Sequence, residues 1–541
     1  MEKHWLDQLV DSLEERLRER YRKKGVITIN GGLSVSGLQH IGRLRGEILL
    51  GEAVRRELEK RGYKVRQLLT LYTVDPWKGK ESQRKQFDDP NEAKKYAGWP
   101  LKDVPDPKGC HKSWIDHFWS DFGPFIKEYT DGRVEVVTTE ELYKGPFKDL
   151  ILHEVLPMKE KIREIVNKYR GRKPYPEDWI PVEPRCSNCG RIDKTKAIRV
   201  IEDGRIEYVC KHCGNRGIAD ITDVKLNWRI EWAGVWKVLS VDFEPYGKDH
   251  ATPGGSRDSC VELSIKVFDY DPPLGEWYEW VGYRVSGRES DMSSSGFVGI
   301  TPREWLEIAH PQILRFLYFY THPRKKIVID PLQLPQYYEQ YYKAERVYFG
   351  VEEAEDGDYL KRTYELSHPG STPLRLPAQV PYTHAAILAQ LIPMDRVEEA
   401  LARLKRTGHL PEEPDEYSLS WVKDLLEKAG RWVEKYSPPG LKVKIVESVS
   451  RDVIANLKYK ETFSALAEKL ASLSEWREDS IKEAMIEATQ NLTGKERREF
   501  YREFYRVFVG EDRGPRAAPL LSLLNKDFVV KRLREAAGLD D

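Results

Sequence analysis

The stretch from Val26 to Arg45 constrains the fold of this chain more than any other. Val26 to Ile29 is a short apolar run with β-branched residues and reads as a buried strand. Asn30, Gly31 and Gly32 break it, and Ser34, Ser36 and Gly37 continue a loop of small residues. From His40 onward apolar residues recur at helical spacing, at Ile41, Leu44, Ile48, Leu49, Val54 and Leu58. This predicts a helix to about Arg61, stopped by Gly62. A strand, a small-residue loop and a helix N-terminus together present unpaired N–H groups and the positive end of a helix dipole, where phosphates bind readily. His40, at the helix start, can donate a hydrogen bond to a phosphate oxygen. The loop has neither the P-loop nor the Gly-x-Gly-x-x-Gly spacing, so a plain βα turn with a surface histidine is the alternative. Val65 to Thr70 reads as a second strand, completing a βαβ unit and implying a parallel sheet. Ligands bind at the carboxyl ends of such strands, which places Gly32 to His40 and the loop near Asp75 at one crevice.

The 541 residues allow a large core and more than one domain. Lys and Arg (88) balance Asp and Glu (88), so a polyanion must be met by local basic patches and not by a global field. Arg324 to Lys326 and Arg403 to Arg406 are candidates, although solvated faces are the commoner explanation for such runs. No run of some 18 apolar residues predicts a membrane span. The N-terminus carries Trp5, Leu6, Leu9, Leu13 and Leu17 on one helical face among charges, an amphipathic helix and not a signal peptide, and a cytoplasmic location is expected.

Residues 76 to 112 are polar and rich in Pro and Gly, and read as the start of an insertion. Helices are predicted over Ser113 to Tyr129 and Ile151 to Tyr169, with a strand at Val134 to Val137. Then come Cys186 and Cys189, twenty intervening residues, and Cys210 and Cys213, each pair followed by a glycine. Four thiolates at this spacing fit a closed tetrahedral zinc site with a structural role; free or disulfide cysteines are the alternative. Between the pairs, Ala197 to Ile201 and Arg205 to Val209 alternate like a β-ribbon with Glu202 to Gly204 as its turn. Val238 to Phe243 reads as a strand, and Gly247 to Ser256 as a polar loop after it. Ser286 to Gly296 reads as a small, mobile loop before a capping box at Thr301 to Glu304. From about Ala309 the pattern is helical almost throughout, with loops at Ser367 to Gly370 and Ser437 to Gly440.

Three loops at fixed order carry a resemblance. They are Ser34-x-Ser36-Gly37-x-x-His40-Ile41-Gly42, then Gly247-Lys248-Asp249-His250-x-x-x-Gly254-Gly255-Ser256, then Met292-Ser293-Ser294-Ser295. Together they resemble the class I aminoacyl-tRNA synthetases and, more narrowly, the class I lysyl-tRNA synthetases. Pro105 to His111, the two cysteine pairs, Trp228 to Trp232 and Gly510 to Arg516 are similar to that family too. The resemblance implies an α/β fold: a Rossmann-type parallel-sheet catalytic domain over 1–320, with a zinc-ribbon-like insertion at about 76–225, then an all-α anticodon-binding domain over 321–541. It implies activation of L-lysine by ATP with Mg²⁺ and transfer of the lysyl group to tRNA(Lys).

Carried over by position, the resemblance implies that His40 and the loop Met292, Ser293, Ser294 and Ser295 act in catalysis. It places Ser36, Gly37, Gly42, Arg43, Gly247, Asp249, Gly254 and Gly255 about ATP. Gly32, Ser34, Trp228, His250 and Tyr278 are placed about lysine. Two departures stand out. Val35 and Arg43 replace the family's usual Pro and Asn or His, and Asp291 and Gly296 stand where its late loop carries lysines. Arg288, Arg284 and Arg43 are candidates for the displaced positive charge. A synthetase for another amino acid and a non-catalytic tRNA-binding paralogue are the alternative readings.

Overall fold

The structure is a computed structural model and describes residues 3–171, 173–202, 204–437 and 442–539. The chain divides into two compact units. The first comprises Met1–Trp305, Leu314–Asp330 and Asp358–Ser371; the second comprises Leu306–Ile313, Pro331–Gly357 and Thr372–Asp541.

In the first unit, helix α1 (Trp5–Lys24) lays Leu6, Val10, Leu13 and Leu17 into the core, as its apolar stripe requires. It leads into strand β1 (Ile27–Leu33). A helical segment comes next, π-helical over Leu44–Leu50 and α-helical as α2 (Gly51–Lys60). It ends at Arg61 and Gly62, the glycine in a left-handed conformation (φ 91°). Strands β2 (Val65–Leu71) and β3 (Val134–Thr138) complete a parallel sheet in the order β1-β2-β3, with Ile27 opposite Val65 and Gln67 opposite Val134. The other edge of β1 is met by Phe243, which bridges Ile29 on one side and Leu274 on the other. Ile27, Ile29, Leu33, Leu68 and Leu69 are buried, as expected of strands covered on both faces.

Several expectations are corrected. Asn30, Gly31 and Gly32 do not break β1; they continue its ladder to Leu68, Leu69 and Thr70. The glycine at 31 serves close packing, since a Cβ there would run into the backbone of Glu47. Buried Asn30 is satisfied by Glu244 (2.6 Å) and Thr70 (2.8 Å). Val238 to Phe243 is not a strand. Trp228–Val238 is a helix capped by the Asn227 side chain, and the chain reverses at Ser240 (φ 53°) to make only single bridges at Phe243. The helix expected over Ser113 to Tyr129 is split into Trp114–Trp119 and Ile126–Tyr129 at Gly123, against which the Trp119 indole packs. Ile151–Val155 is π-helical before the α-helix Lys159–Arg170. Ser286 to Asp291 is not a mobile loop but part of a hairpin, Val281–Val285 against Arg288–Asp291. Ser286 and Gly287 make its two-residue turn with positive φ at both positions.

The insertion forms an antiparallel ribbon of Thr195–Val200, Ile206–Cys210 and Arg216–Ala219; Asp203 of the expected turn lies outside the described residues. One ion pair ties this unit internally without solvent: Arg315 and Glu52, both fully buried, meet at 3.0 Å, and the guanidinium also donates to the carbonyls of Tyr129 and Leu366. Removing either partner would strand a buried charge.

The second unit is built from helices, among them Leu334–Tyr348, Tyr382–Leu391, Glu416–Lys435, Lys460–Ser472 and Gly494–Val509. Trp421 and Trp432 are core residues here, donating to Tyr342 and to the Pro331 carbonyl, and Trp305 is equally buried in the first unit. None of the three is presented for base stacking. Of the loop expected at Ser437 to Gly440, residues 438–440 lie outside the described residues.

Candidate active site

A cleft of about 610 Å³ opens at the carboxyl ends of the strands in the first unit. The end of β1 supplies Gly32, and the loop after it supplies Ser34, Ser36, His40, Gly42 and Arg43. The π-helical turn contributes Glu47, and the helix Trp228–Val238 adds Trp228, Glu231 and Trp232. Gly247, Asp249, His250 and Tyr278 line another wall, and Met292, Ser293, Ser294 and Ser295 complete it. Three segments far apart in sequence therefore share one cavity. Of the residues assigned from the sequence, Gly37, Gly254 and Gly255 do not line it. Gly37 is a spacer: a Cβ there would lie 2.5 Å from the Ser294 carbonyl oxygen, so the early and late loops touch through it. Gly254 (φ 72°) and Gly255 lead into the helix Ser256–Lys266, with Gly254 N–H donating to Asp258 at 2.7 Å.

His40 is buried; its Nδ1 has no hydrogen-bond partner, and burial, reinforced by Arg43, pulls its pKa down to about 3. The imidazole is therefore neutral at physiological pH and acts as a hydrogen-bonding group, not as a cation. His250 is likewise lowered by burial and sits 4.9 Å, ring to ring, from Trp232.

Seven carboxylates line the cleft, and sequence reasoning missed four of them, Glu47, Glu231, Glu244 and Glu279. Glu47 accepts from the Gly32 N–H at 3.0 Å and from the Tyr278 hydroxyl, and burial pushes its pKa up to about 7. A Cβ on Gly46 would collide with the Tyr278 ring, so that glycine is what lets the phenol reach Glu47. Glu244 is buried and accepts from Asn30 and from the indoles of Trp232 (2.5 Å) and Trp236 (3.0 Å); burial raises its pKa as well. Glu231 pairs with Lys225 at 2.8 Å. Only one cue was local: Glu47 lies four residues after Arg43, one helical turn away.

The positive side is sparse. Arg43 Nε donates to Ser294 Oγ at 2.8 Å. Arg284 faces Glu289 at 2.8 Å outside the cleft, and Arg288 is exposed on the hairpin and does not line it. Asp291, the residue in the lysine position, is paired with Lys326 at 2.8 Å.

Among the described residues three groups of donors lie close enough to share a metal: His384, His409 and Glu478 in the second unit, and two in the first. Cys186, Cys189, Cys210 and Cys213 bring their sulfurs within 4.8 Å of one another, with Cys186–Cys213 at 3.6 Å and Cys189–Cys210 at 3.7 Å. Thiolates at about 2.3 Å from a tetrahedral zinc stand roughly 3.8 Å apart, so the residues fit that ion. The other set in the first unit was missed: Asp106, Cys110, His111 and His117, with Asp106 to His117 at 3.0 Å and Cys110 to His111 at 3.0 Å. Its spacing, Asp-x-x-x-Cys-His then His six residues on, was readable as ligand types in a Pro-rich loop.

The profile of the family described as tRNA synthetases class I (K) matches residues 3–370. A lysine–tRNA ligase of Aeropyrum pernix is 59% identical over 540 residues, 99% of this chain and 98% of its own. The chain belongs to the class I tRNA synthetases of the lysine type. A lysine–tRNA ligase of Pyrococcus horikoshii is 35% identical, over 98% of this chain and 99% of its own. In this synthetase the two outer signature loops meet at Gly37 and Ser294, and the middle one supplies the facing wall. Among the described residues no helix is long and apolar enough to cross a membrane.

Proposed function

We propose that the cleft activates L-lysine with ATP and passes the lysyl group to tRNA(Lys), as a cytoplasmic enzyme of protein synthesis. The observation that carries this reading is the convergence of the three loops on a cavity rich in carboxylates. Such a lining suits an amino acid with two ammonium groups. Glu47 and Glu244, fixed by Tyr278, Gly32, Asn30 and two indoles, are positioned to receive them. A charge arriving beside Glu47 holds that carboxyl ionised, so lysine binding and Glu47 deprotonation are coupled.

In the first step a lysine carboxylate oxygen forms a bond to the α-phosphorus and the bond to the bridging oxygen breaks, releasing pyrophosphate. In the second, the 3′-terminal ribose hydroxyl attacks the activated carbonyl and AMP leaves. His40, neutral and buried, hydrogen-bonds phosphate; Arg43 supplies charge to the same corner; Gly247 and Asp249 form the wall for adenosine. Bound Mg²⁺ would shield phosphate charge. The four cysteines would hold a structural zinc that pins the insertion, and the helical second unit would read the anticodon.

The test is charging of tRNA(Lys) by the full chain with lysine or glutamate, tRNA being present throughout. Lysyl-tRNA forming at enzyme-like turnover, with glutamate inert, is the expected result. Preference for glutamate, or no charging at all, would overturn the reading.

A further inference from the structure

The cleft is short of positive charge for a triphosphate. Arg43 is the one lysine or arginine among its described lining residues, against seven carboxylates. Nearby lysines are committed: Lys326 to Asp291 at 2.8 Å, Lys248 to Glu279 at 2.5 Å and Lys225 to Glu231 at 2.8 Å. Lys80 is different. Its Nζ donates to Ser295 Oγ at 3.0 Å, a neutral partner on the same loop whose Ser294 receives Arg43. Consecutive serines of this loop are thus each held by a cation, from two segments far apart in the chain.

The segment that carries Lys80 is itself anchored to both outer signature loops. Ser82 Oγ donates to the Ser295 carbonyl at 2.6 Å, and Gln83 Nε2 to the Ser36 carbonyl at 2.9 Å. Gln83 also accepts from the Lys80 N–H at 2.9 Å and is buried, so the backbone beneath the lysine is fixed while its ammonium end is exposed. An ammonium on a four-carbon stem, bound to a hydroxyl and not to a carboxylate, can exchange that partner for a phosphate oxygen at little cost. Arg43 and Lys80 then flank the loop as a pair.

We propose that Lys80 is a phosphate-contacting catalytic residue of the activation step, supplied by the insertion instead of by the late loop. As the lysine carboxylate oxygen bonds to the α-phosphorus and the bridging oxygen leaves with the electron pair, charge grows on pyrophosphate, and Lys80 and Arg43 stabilise it. This rests on the reading of the cleft as a lysine-activating site.

The experiment is steady-state charging of tRNA(Lys) with lysine by the full chain and by Lys80→Ala, Lys80→Gln and Lys80→Arg. Lys85→Ala, which removes an exposed lysine paired with Glu81, serves as the control expected to match the wild type. Lys80→Ala should lower kcat by about 10- to 100-fold, with a smaller change in KM for ATP and an unchanged thermal midpoint. Lys80→Gln keeps a hydrogen bond to Ser295 without the charge and should be as slow, whereas Lys80→Arg should recover most of the rate. Full activity in Lys80→Gln would mean that the side chain merely tethers Ser295, and would overturn the proposal. So would Lys80→Ala within twofold of a wild type that charges normally. A wild type that charges no tRNA overturns the underlying reading, and the proposal with it.

Discussion

Gly37→Ala separates loop spacing from ligand contact. Gly37 does not line the cleft, yet a Cβ on it would stand 2.5 Å from the Ser294 carbonyl oxygen and 2.8 Å from Cζ of Phe297. Ordinary contact begins at 3.4 Å, so the late loop must retreat by about 0.9 Å from the early one. The ring of Phe297 can turn; the Ser294 carbonyl is backbone and moves only with its loop, which is itself held by the Ser293–Val298 bridge and by Arg43. Misplacing catalytic groups by about 1 Å costs on the order of 10²-fold in rate. The expected result is therefore a kcat for lysine activation lowered by roughly two orders of magnitude, measured as pyrophosphate exchange with tRNA present. The melting midpoint should fall only slightly, since overpacking at one loop contact costs about 1–3 kcal/mol. A Gly37→Ala protein with wild-type kcat would show that the two loops need not be in register, and would refute the spacer argument. A loss confined to KM for ATP would instead make Gly37 a direct contact of the nucleotide.

Two further outcomes are expected from the structure. Cys210→Ser should lower bound zinc by about one ion per chain, read by elemental analysis, and open the 186–219 ribbon to proteolysis, because a closed four-thiolate site does not survive losing a ligand. Buried His4 is held neutral, its pKa lowered to about 4 by burial and, secondarily, by Arg362, so the unfolded chain takes up the proton first. Its contribution to stability is complete above about 6.5 and is lost as pH falls towards 4, a change on the order of 3 kcal/mol. His4→Asn keeps an acceptor for the Leu6 N–H at the start of α1 without titrating, so its urea midpoint should fall less between pH 7 and pH 4.5 than that of the wild type.

The features that sequence made legible are those whose cause is local. β1 and β2 announce themselves by apolar β-branched runs, the ribbon by alternation, and the four-cysteine cluster by thiols at fixed spacing. Gly62 ends α2 for a reason any glycine after an apolar period would suggest. The errors share a different cause. Gly31 and Gly32 resemble breakers, but what requires them is distant in sequence: a Cβ on Gly31 would meet the backbone of Glu47, and one on Gly32 the ring of Tyr72. Val238 to Phe243 is apolar enough for a strand, and no period distinguishes a buried strand from the end of a buried helix. Glu244, Glu47 and Lys80 could not be selected among 176 charged side chains, because what marks them is a partner far away in sequence: Asn30, Tyr278 and Ser295. The resemblance pointed to three loops that share one cavity, but could not say which of their residues face it and which do not, as Gly37 and Gly254 illustrate.

The π-helical turn from Leu44 to Leu50 has a bearing on how such a chain can change. A π turn absorbs about one residue more than an α-helix would, so it works as a phase shift of about 100° between the residues on its two sides. Behind it, Val54 and Leu58 keep their place in the core; ahead of it, Gly42 and Arg43 are aimed at the cleft. Loss of a single residue from this turn would let the helix run through unbroken and still bury its apolar face, while rotating Arg43 away from Ser294. The shortened chain would then fold with Arg43 no longer bound to the late loop. Length in this one turn is thus under a constraint that no hydrophobic pattern records, and a gap there in any relative would signal a change of chemistry before a change of fold.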